Sequence, residues 1–417
     1  MPIEDRQRQT VRPLQGIKVI DMTRVVAGPL AGQTLADLGA DVIKIERLGE
    51  GDDIRTLGPP WLQDEEGHES DHSTYFLAVN RGKRSLAIDF TKPEGAAVLR
   101  KLVAKADVLL ENFRPGTLAK YGLAYEQVSE TNPGIVYCSV TGFGHSGPYS
   151  PRSGYDYLVQ AMGGGMSVTG HADGEPGAGP MRVGVPLADF AAGNNAALGI
   201  LAALLARHQT GRGQHVDIAL MDSQVGMLLN SFSGWLNGQK LIPRMGNDHA
   251  SAVPYGVFPC SDGFILICTF NDREFARLAE ALGHAEWPAD PRFARSRDRV
   301  VNRRTLVEAI SDVTSTLTRE ALMAVMEEAK ISCGPINTMK EVEIDPQVAA
   351  RGMIVEMDHP VAGKIRVAGS PLKLSDTPVQ YNRRPPMVGE HSLEVLSELG
   401  LSAEEIAELK AQSIVEG

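Results

Sequence analysis

The segment that most constrains this chain runs from Pro186 to Asp222 and reads PLADFAAGNNAALGILAALLARHQTGRGQHVDIALMD. After Asp189, small and aliphatic residues follow almost without interruption, and a Thr-Gly-Arg-Gly turn closes the run. A helix of Ala, Gly and Leu this long has no polar face, so the sequence predicts a buried helix around which the fold must pack. Asp189 falls at its N-terminus, where backbone N–H groups and the helix dipole stabilise a carboxylate. That position fits two roles. One is a helix N-cap; the other is a carboxylate held ready to react as a nucleophile.

Upstream, strand-like and helix-like runs alternate. Ile17–Met22, Ala40–Glu46, Ser85–Phe90, Asp107–Glu111 and Ile135–Val140 read as strands, and Pro29–Leu38 as a helix. Thr91-Lys92-Pro93-Glu94 has the form of a capping box with proline in the first turn, opening a helix to Lys105. Such alternation predicts an α/β fold with a parallel sheet and right-handed crossovers. Asp222–Gly238 reads as a helix leaving this domain. From Ser251 the texture changes to a hairpin around Ser261-Asp262-Gly263, then charged amphipathic helices to Glu328. The expected division is a large domain over 1–222, a linker over 223–250, a small α+β domain over 251–332, and a return linker with completion of the large domain over 333–417.

Length and charge exclude several classes. A chain of 417 residues holds about two to three domains. Its net charge of −11 argues against a nucleic-acid partner. Gly, Asn or Arg interrupts every apolar run before the roughly 18 residues of a membrane span, so no membrane partner is expected. The N-terminal MPIEDRQRQTVRP carries acidic residues and no apolar core, unlike a signal peptide. Cys138, Cys260, Cys268 and Cys333 are scattered, as reduced thiols in a cytoplasm would be.

Three motif matches fail on context. His68-Glu69-Ser70-Asp71-His72 matches H-E-x-x-H, but it follows Gly67 and an acidic loop rather than lying on an apolar helix, so no metal is expected. Gly144-His145-Ser146-Gly147 lacks the glycine and following helix of a serine-hydrolase elbow. The turn after the first strand, TRVVAGP, has no G-x-G-x-x-G, which removes NAD.

Several blocks appear in fixed order: TRVVAGP, GADVIKIER, NRGKRS, ENFRPG, GYDYLVQAMGG, PLAD, TGRGQHVD, CGPINTMKE and GEH. Together they resemble the family III CoA-transferases, a family that also contains 2-methylacyl-CoA racemases, from about Leu14 to Leu409. The stretches GWLNGQ, VPYGVF and HPVAGKI are most similar to the succinyl-CoA-dependent dicarboxylate branch.

The resemblance implies a large Rossmann-like domain built from both chain ends, a small central domain, and a homodimer of two interlocked rings. It implies an acyl-CoA donor, succinyl-CoA among the candidates, a small carboxylic acid acceptor, and CoA as co-substrate rather than a tightly bound cofactor. Asp189 matches the family nucleophile, which forms a mixed anhydride and then an aspartyl-CoA thioester. Amides at its helix start are expected to stabilise the developing oxyanion. By the same likeness Val26, Ala27, Arg47, Ile88, Thr91, Asn112, Phe113, Arg114, Lys120, Tyr155 and Asp156 line the CoA site. Ser153, with Arg152 beside it, stands where some relatives carry lysine. Racemases of the family typically carry histidine at Tyr155, and a phenol with a pKa near 10 is a poor base at an α-carbon. Arg244 and His249 are candidates for holding a second carboxylate. The glycine-rich loop that shields the intermediate in some transferases is replaced by GNDHASAVPYG.

Overall fold

Short runs of Val, Ile and Leu become strands buried on both faces, as a parallel sheet between two helical layers requires. The computed structural model describes residues 11–417. The stretch 1–10, part of the segment read above as no signal peptide, lies outside the described residues. The chain divides into two units. The first comprises the chain up to Gly164 together with Gly184–Leu229 and Gln347–Gly417; the second comprises Gly165–Val183 and Asn230–Pro346. The sequence reading assigned 165–183 to the large domain, whereas this segment packs with the second unit.

The first unit holds a seven-stranded sheet. Its strands are β1 (Lys18–Asp21), β2 (Asp41–Glu46), β3 (Lys83–Ile88), β4 (Val108–Glu111), β5 (Val136–Thr141), β6 (His215–Ala219) and β7 (Val415–Glu416). Their order is β7-β3-β2-β1-β4-β5-β6, parallel except for β7, which runs antiparallel to β3 at the edge. The order reverses between β1 and β4, with Ile20 of β1 facing Ile43 on one side and Leu109 on the other. Ligands of open α/β sheets bind beyond the carboxyl ends of the strands at such a reversal.

Five helices matter for the site: α1 (Ala27–Asp37), α2 (Pro93–Val103), α3 (Asp156–Met162), α4 (Leu187–Thr210) and α5 (Leu220–Met227). On one face of the sheet α1 and α4 pack over Val19, Val42, Val108 and Val136. The opposite face is covered by α2 and by the C-terminal helices Ser392–Leu399 and Ala403–Ala411, over Ile43, Leu86, Leu109 and Tyr137. Leu35 and Ile200 are fully buried in the first of these cores, each stabilising the fold by roughly 1.5–3 kcal/mol. Helices α1 and α4 approach closely because Gly193 has no side chain; a Cβ there would lie 2.7 Å from the Ala27 carbonyl oxygen.

Four local expectations are corrected. Helix α2 has Lys92, not Thr91, at its N-cap, with Pro93 in the first turn. The Thr91 hydroxyl donates instead to Asp89 Oδ1 at 2.6 Å. The predicted helix over Asp222–Gly238 is two helices, α5 and Leu229–Gly238, separated at Leu228 and with Leu229 at φ 41°. Helix α4 is buried along Ala188, Ala192, Gly193, Ala196, Ala197, Ile200 and Ala203 only. Its other face leaves Phe190, Leu198 and Leu205 53%, 66% and 65% exposed. By length and a mean hydropathy of 1.3 α4 is also apolar enough to cross a membrane, contrary to the expectation that no run is. Its few glycines and asparagines do not lower the average enough, and it packs one face on the sheet of the first unit.

The second unit has a three-stranded antiparallel sheet of Tyr255–Cys260, Gly263–Cys268 and Ser332–Pro335. Its core joins Phe258, Ile265 and Ile267 to Phe275, Leu278, Leu306, Ile310, Leu322 and Met326 from the helices that follow.

Candidate active site

At the carboxyl ends of the strands two cavities adjoin. One, of about 430 Å³, is lined by Val26 and Ala27 from the β1–α1 turn, Asn112, Phe113 and Arg114 after β4, Gly154, Tyr155 and Asp156, and Asp189. The other, of about 470 Å³, is lined by Arg47, Ile88, Thr91 and Tyr121. Arg24, Phe113 and Thr117 belong to both, so the two form one groove across the sheet's reversal point.

Asp189 is the third residue of α4 and not its cap; the N-cap is Pro186, which offers no side-chain bond. The cap comes from elsewhere. Asp156, the first residue of α3, turns its carboxylate onto the start of α4, where Oδ1 accepts the N–H groups of Ala188 at 2.7 Å and Asp189 at 3.1 Å. Its Oδ2 accepts from Gln160 Nε2 at 2.6 Å. The amides expected to serve an oxyanion are therefore already taken. Burial, and then the charge of Asp156, push the Asp189 carboxyl up to about 7. Near neutrality it is divided between its neutral and ionised forms.

The β1–α1 turn is held by side chains. Asn112 brackets it, accepting the Arg24 N–H at 3.0 Å and donating to the Arg24 carbonyl at 2.7 Å. Asn112, expected as a CoA contact, thus also has a structural partner. Arg24 and Arg47 converge on Asp53, at 3.0 and 2.5 Å, and the Arg24 guanidinium lies 5.4 Å from the Phe113 ring centre. Arg114 donates to Ser153 Oγ at 2.7 Å. Arg152 lines the Asp189 cavity and stacks over Tyr149 at 4.8 Å. Ten of the residues expected at the CoA site are brought to this groove; Lys120 is not. It is exposed on the single turn Leu118–Tyr121, whose neighbours Thr117 and Tyr121 line the cavity instead. Tyr155 is 70% exposed.

Sequence reasoning missed Arg24, Thr117 and Tyr121. Arg24 had a usable signal, being a cation in the turn after the first strand, where ligand-binding loops gather. Of HESDH, Glu69 to His72 lie on the hairpin strand Glu69–Ser73 and His68 just precedes it, none of them on a helix. Within the second unit, Arg244 pairs with Asp173, and the His249 ring stacks on Tyr255 at 4.8 Å.

The model of CoA-transferase family III matches residues 14–392. The chain belongs to CoA-transferase family III. As a CoA-transferase it is similar to the succinate–glutarate CoA-transferase of Agrobacterium fabrum, with 43% identity over 387 residues, 93% of this chain and 96% of that one. The human succinyl-CoA:glutarate CoA-transferase is 39% identical over 407 residues, 97% of this chain and 90% of the human one. Among solved structures, a CAIB/BAIF family protein from Brucella suis matches this transferase with a TM-score of 0.82 at 43% identity, covering 93% of this chain and 99% of that one.

Proposed function

We propose that this enzyme carries CoA from succinyl-CoA to a second dicarboxylic acid, with Asp189 as nucleophile. The observation that carries the reading is a carboxyl raised to about 7 at the wall of a cavity, in a chain of this family. The ionised Asp189 attacks the thioester carbonyl; the C–S bond breaks and CoA thiolate leaves, giving a mixed anhydride. The thiolate attacks the Asp189 carbonyl, releasing succinate and leaving an aspartyl-CoA thioester. The acceptor carboxylate attacks that thioester and again expels thiolate. The thiolate then attacks the acceptor's acyl carbon, forming the new acyl-CoA and returning Asp189 as carboxylate. A carboxylate whose pKa matches the working pH is more basic than an ordinary one while still ionised enough to react.

In this reading the nucleotide end of CoA occupies the cavity beside Arg24 and Arg47, and the pantetheine arm passes Phe113 toward Asp189. The support is the shared lining of the two cavities and the pair of guanidiniums at one end. We further propose a Rossmann-like first unit, supported by its strand order, and an interlocked cytoplasmic homodimer. The apolar face of α4, with Leu198 and Leu205 exposed, supports burial against a second copy.

The racemase alternative has less support, since the relatives reported above bear transferase names and an exposed tyrosine stands at the expected base position. The test is a panel of CoA donors and free acids read by the mass of the acyl-CoA products, with hydroxylamine or borohydride trapping of a thioester on Asp189. No exchange with any dicarboxylate, and no label on Asp189, would refute the proposal.

A further inference from the structure

The turn beneath the Asp189 cavity is strained at one residue. Val25 has φ 70°, a left-handed conformation that a β-branched side chain enters only under constraint. Glycine would adopt it freely. Valine instead packs its side chain against the cluster of Val26, Ile54, Phe76 and Val79, and so forms part of the cavity wall.

The constraint is visible in its partners. Asp52 Oδ1 accepts the Val25 N–H at 3.1 Å and the Ile54 N–H at 3.2 Å. The other oxygen of Asp52 lies 2.8 Å from Lys44 Nζ, and both side chains are fully buried. Lys44 Nζ also donates to the Thr23 carbonyl at 2.8 Å. Thr23, Arg24 and Val25 are thus gripped in succession by Lys44, Asn112 and Asp52. Burial, the largest single influence, opposes charge on both members of the pair; the charges of Asp52, Asp21 and Glu46 around Lys44, and Lys44 with the Val25 and Ile54 N–H groups around Asp52, together outweigh it and hold the Lys44 ammonium above and the Asp52 carboxyl below their ordinary values. Desolvating two charges brings little net stability, so a buried pair whose carboxylate takes the strained Val25 N–H together with that of Ile54 has a geometric role, fixing the turn against the following Asp53–Arg55 turn.

We propose that Lys44 and Asp52 are positioning residues for CoA transfer: their ion pair holds Val25 left-handed and thereby fixes the Val26–Ala27 wall of the cavity that contains Asp189. The inference rests on the assignment of transfer to that cavity.

The test compares Asp52→Ala and the milder Asp52→Asn with Val25→Gly and the two double variants. Asp52→Ala is expected to lower kcat at least tenfold and Asp52→Asn at least threefold. Each double variant with Val25→Gly is expected to fall within threefold of Val25→Gly alone, because glycine needs no clamp. Such rescue is a coupling that a merely structural aspartate does not produce. Losses that add rather than cancel overturn the proposal, as does an Asp52→Asn enzyme with wild-type kcat. Should Asp52→Ala not fold, the Asn pair carries the comparison alone. Amide hydrogen exchange gives a readout independent of turnover: Asp52→Asn should speed exchange over residues 23–27 at least tenfold while leaving the rest of α1 unchanged, and unchanged exchange refutes the clamp. A wild-type protein that transfers no CoA refutes the functional assignment, and the exchange result still decides the clamp.

Discussion

Asp156 Oδ1 accepts the backbone N–H of Asp189 at 3.1 Å, so the carboxylate beside Asp189 also caps the helix that carries it. The contact that completes the start of α4 places a negative charge beside Asp189 and raises its pKa beyond what burial does alone. Helix stability and the basicity of Asp189 therefore share one side chain.

Asp156→Asn separates the two effects, since an amide oxygen still accepts the Ala188 and Asp189 N–H groups but carries no charge. The Asp189 pKa should fall from about 7, and the rising limb of kcat/KM against pH should move toward acid. A pH profile with an unmoved midpoint would count against Asp156 as the perturbing charge.

Asp189 also links activity to stability with a defined sign. Its folded pKa of about 7 lies above the ordinary 3.8, so the folded chain holds this proton more tightly than the unfolded one. The resulting stability is fully present below about pH 4 and is lost as pH rises through 7, up to a ceiling of about 4 kcal/mol for three units. Asp189→Asn should abolish transfer while retaining CoA binding, melt higher than wild type at pH 8, and melt like it at pH 4. Retention of more than about a tenth of the wild-type rate would sink Asp189 as nucleophile.

Tyr155 distinguishes transfer from racemisation. A 2-methylacyl-CoA incubated in deuterium oxide without free acid should take up no deuterium at its α-carbon. Tyr155→Phe should slow transfer by no more than about tenfold, roughly 1.4 kcal/mol, as for loss of one hydrogen bond. Deuterium uptake that disappears in Tyr155→Phe would reverse the assignment.

The exposed face of α4 bears on assembly. Leu198→Glu places a charge in an apolar stripe and should break or severely weaken the proposed dimer, read by light scattering. Two tagged wild-type forms, mixed under native conditions, should exchange no subunits within hours if the rings are threaded. A wild-type monomer in solution, or mixed dimers within minutes, would contradict the interlocked arrangement.

The sequence by itself determined the elements that nearest neighbours fix. Its alternation of apolar runs and helices yielded the parallel strands β1 to β5, and its Ala- and Leu-rich run yielded α4 with Asp189 in the first turn. Its ordered motifs yielded the family, and with it Asp189 and ten other residues of the groove. Tertiary structure alone decided the rest. The cap of α4 comes from Asp156, 33 residues from Asp189, and the clamp on Val25 from Asp52, 27 residues away. Hydropathy marked α4 as apolar but not which face the sheet would cover, and it gave no sign that Val25 would be left-handed. Periodicity and propensity act over a turn or two of chain, whereas a remote carboxylate, a buried charge pair or a strained backbone angle exists only once packing has brought distant residues together.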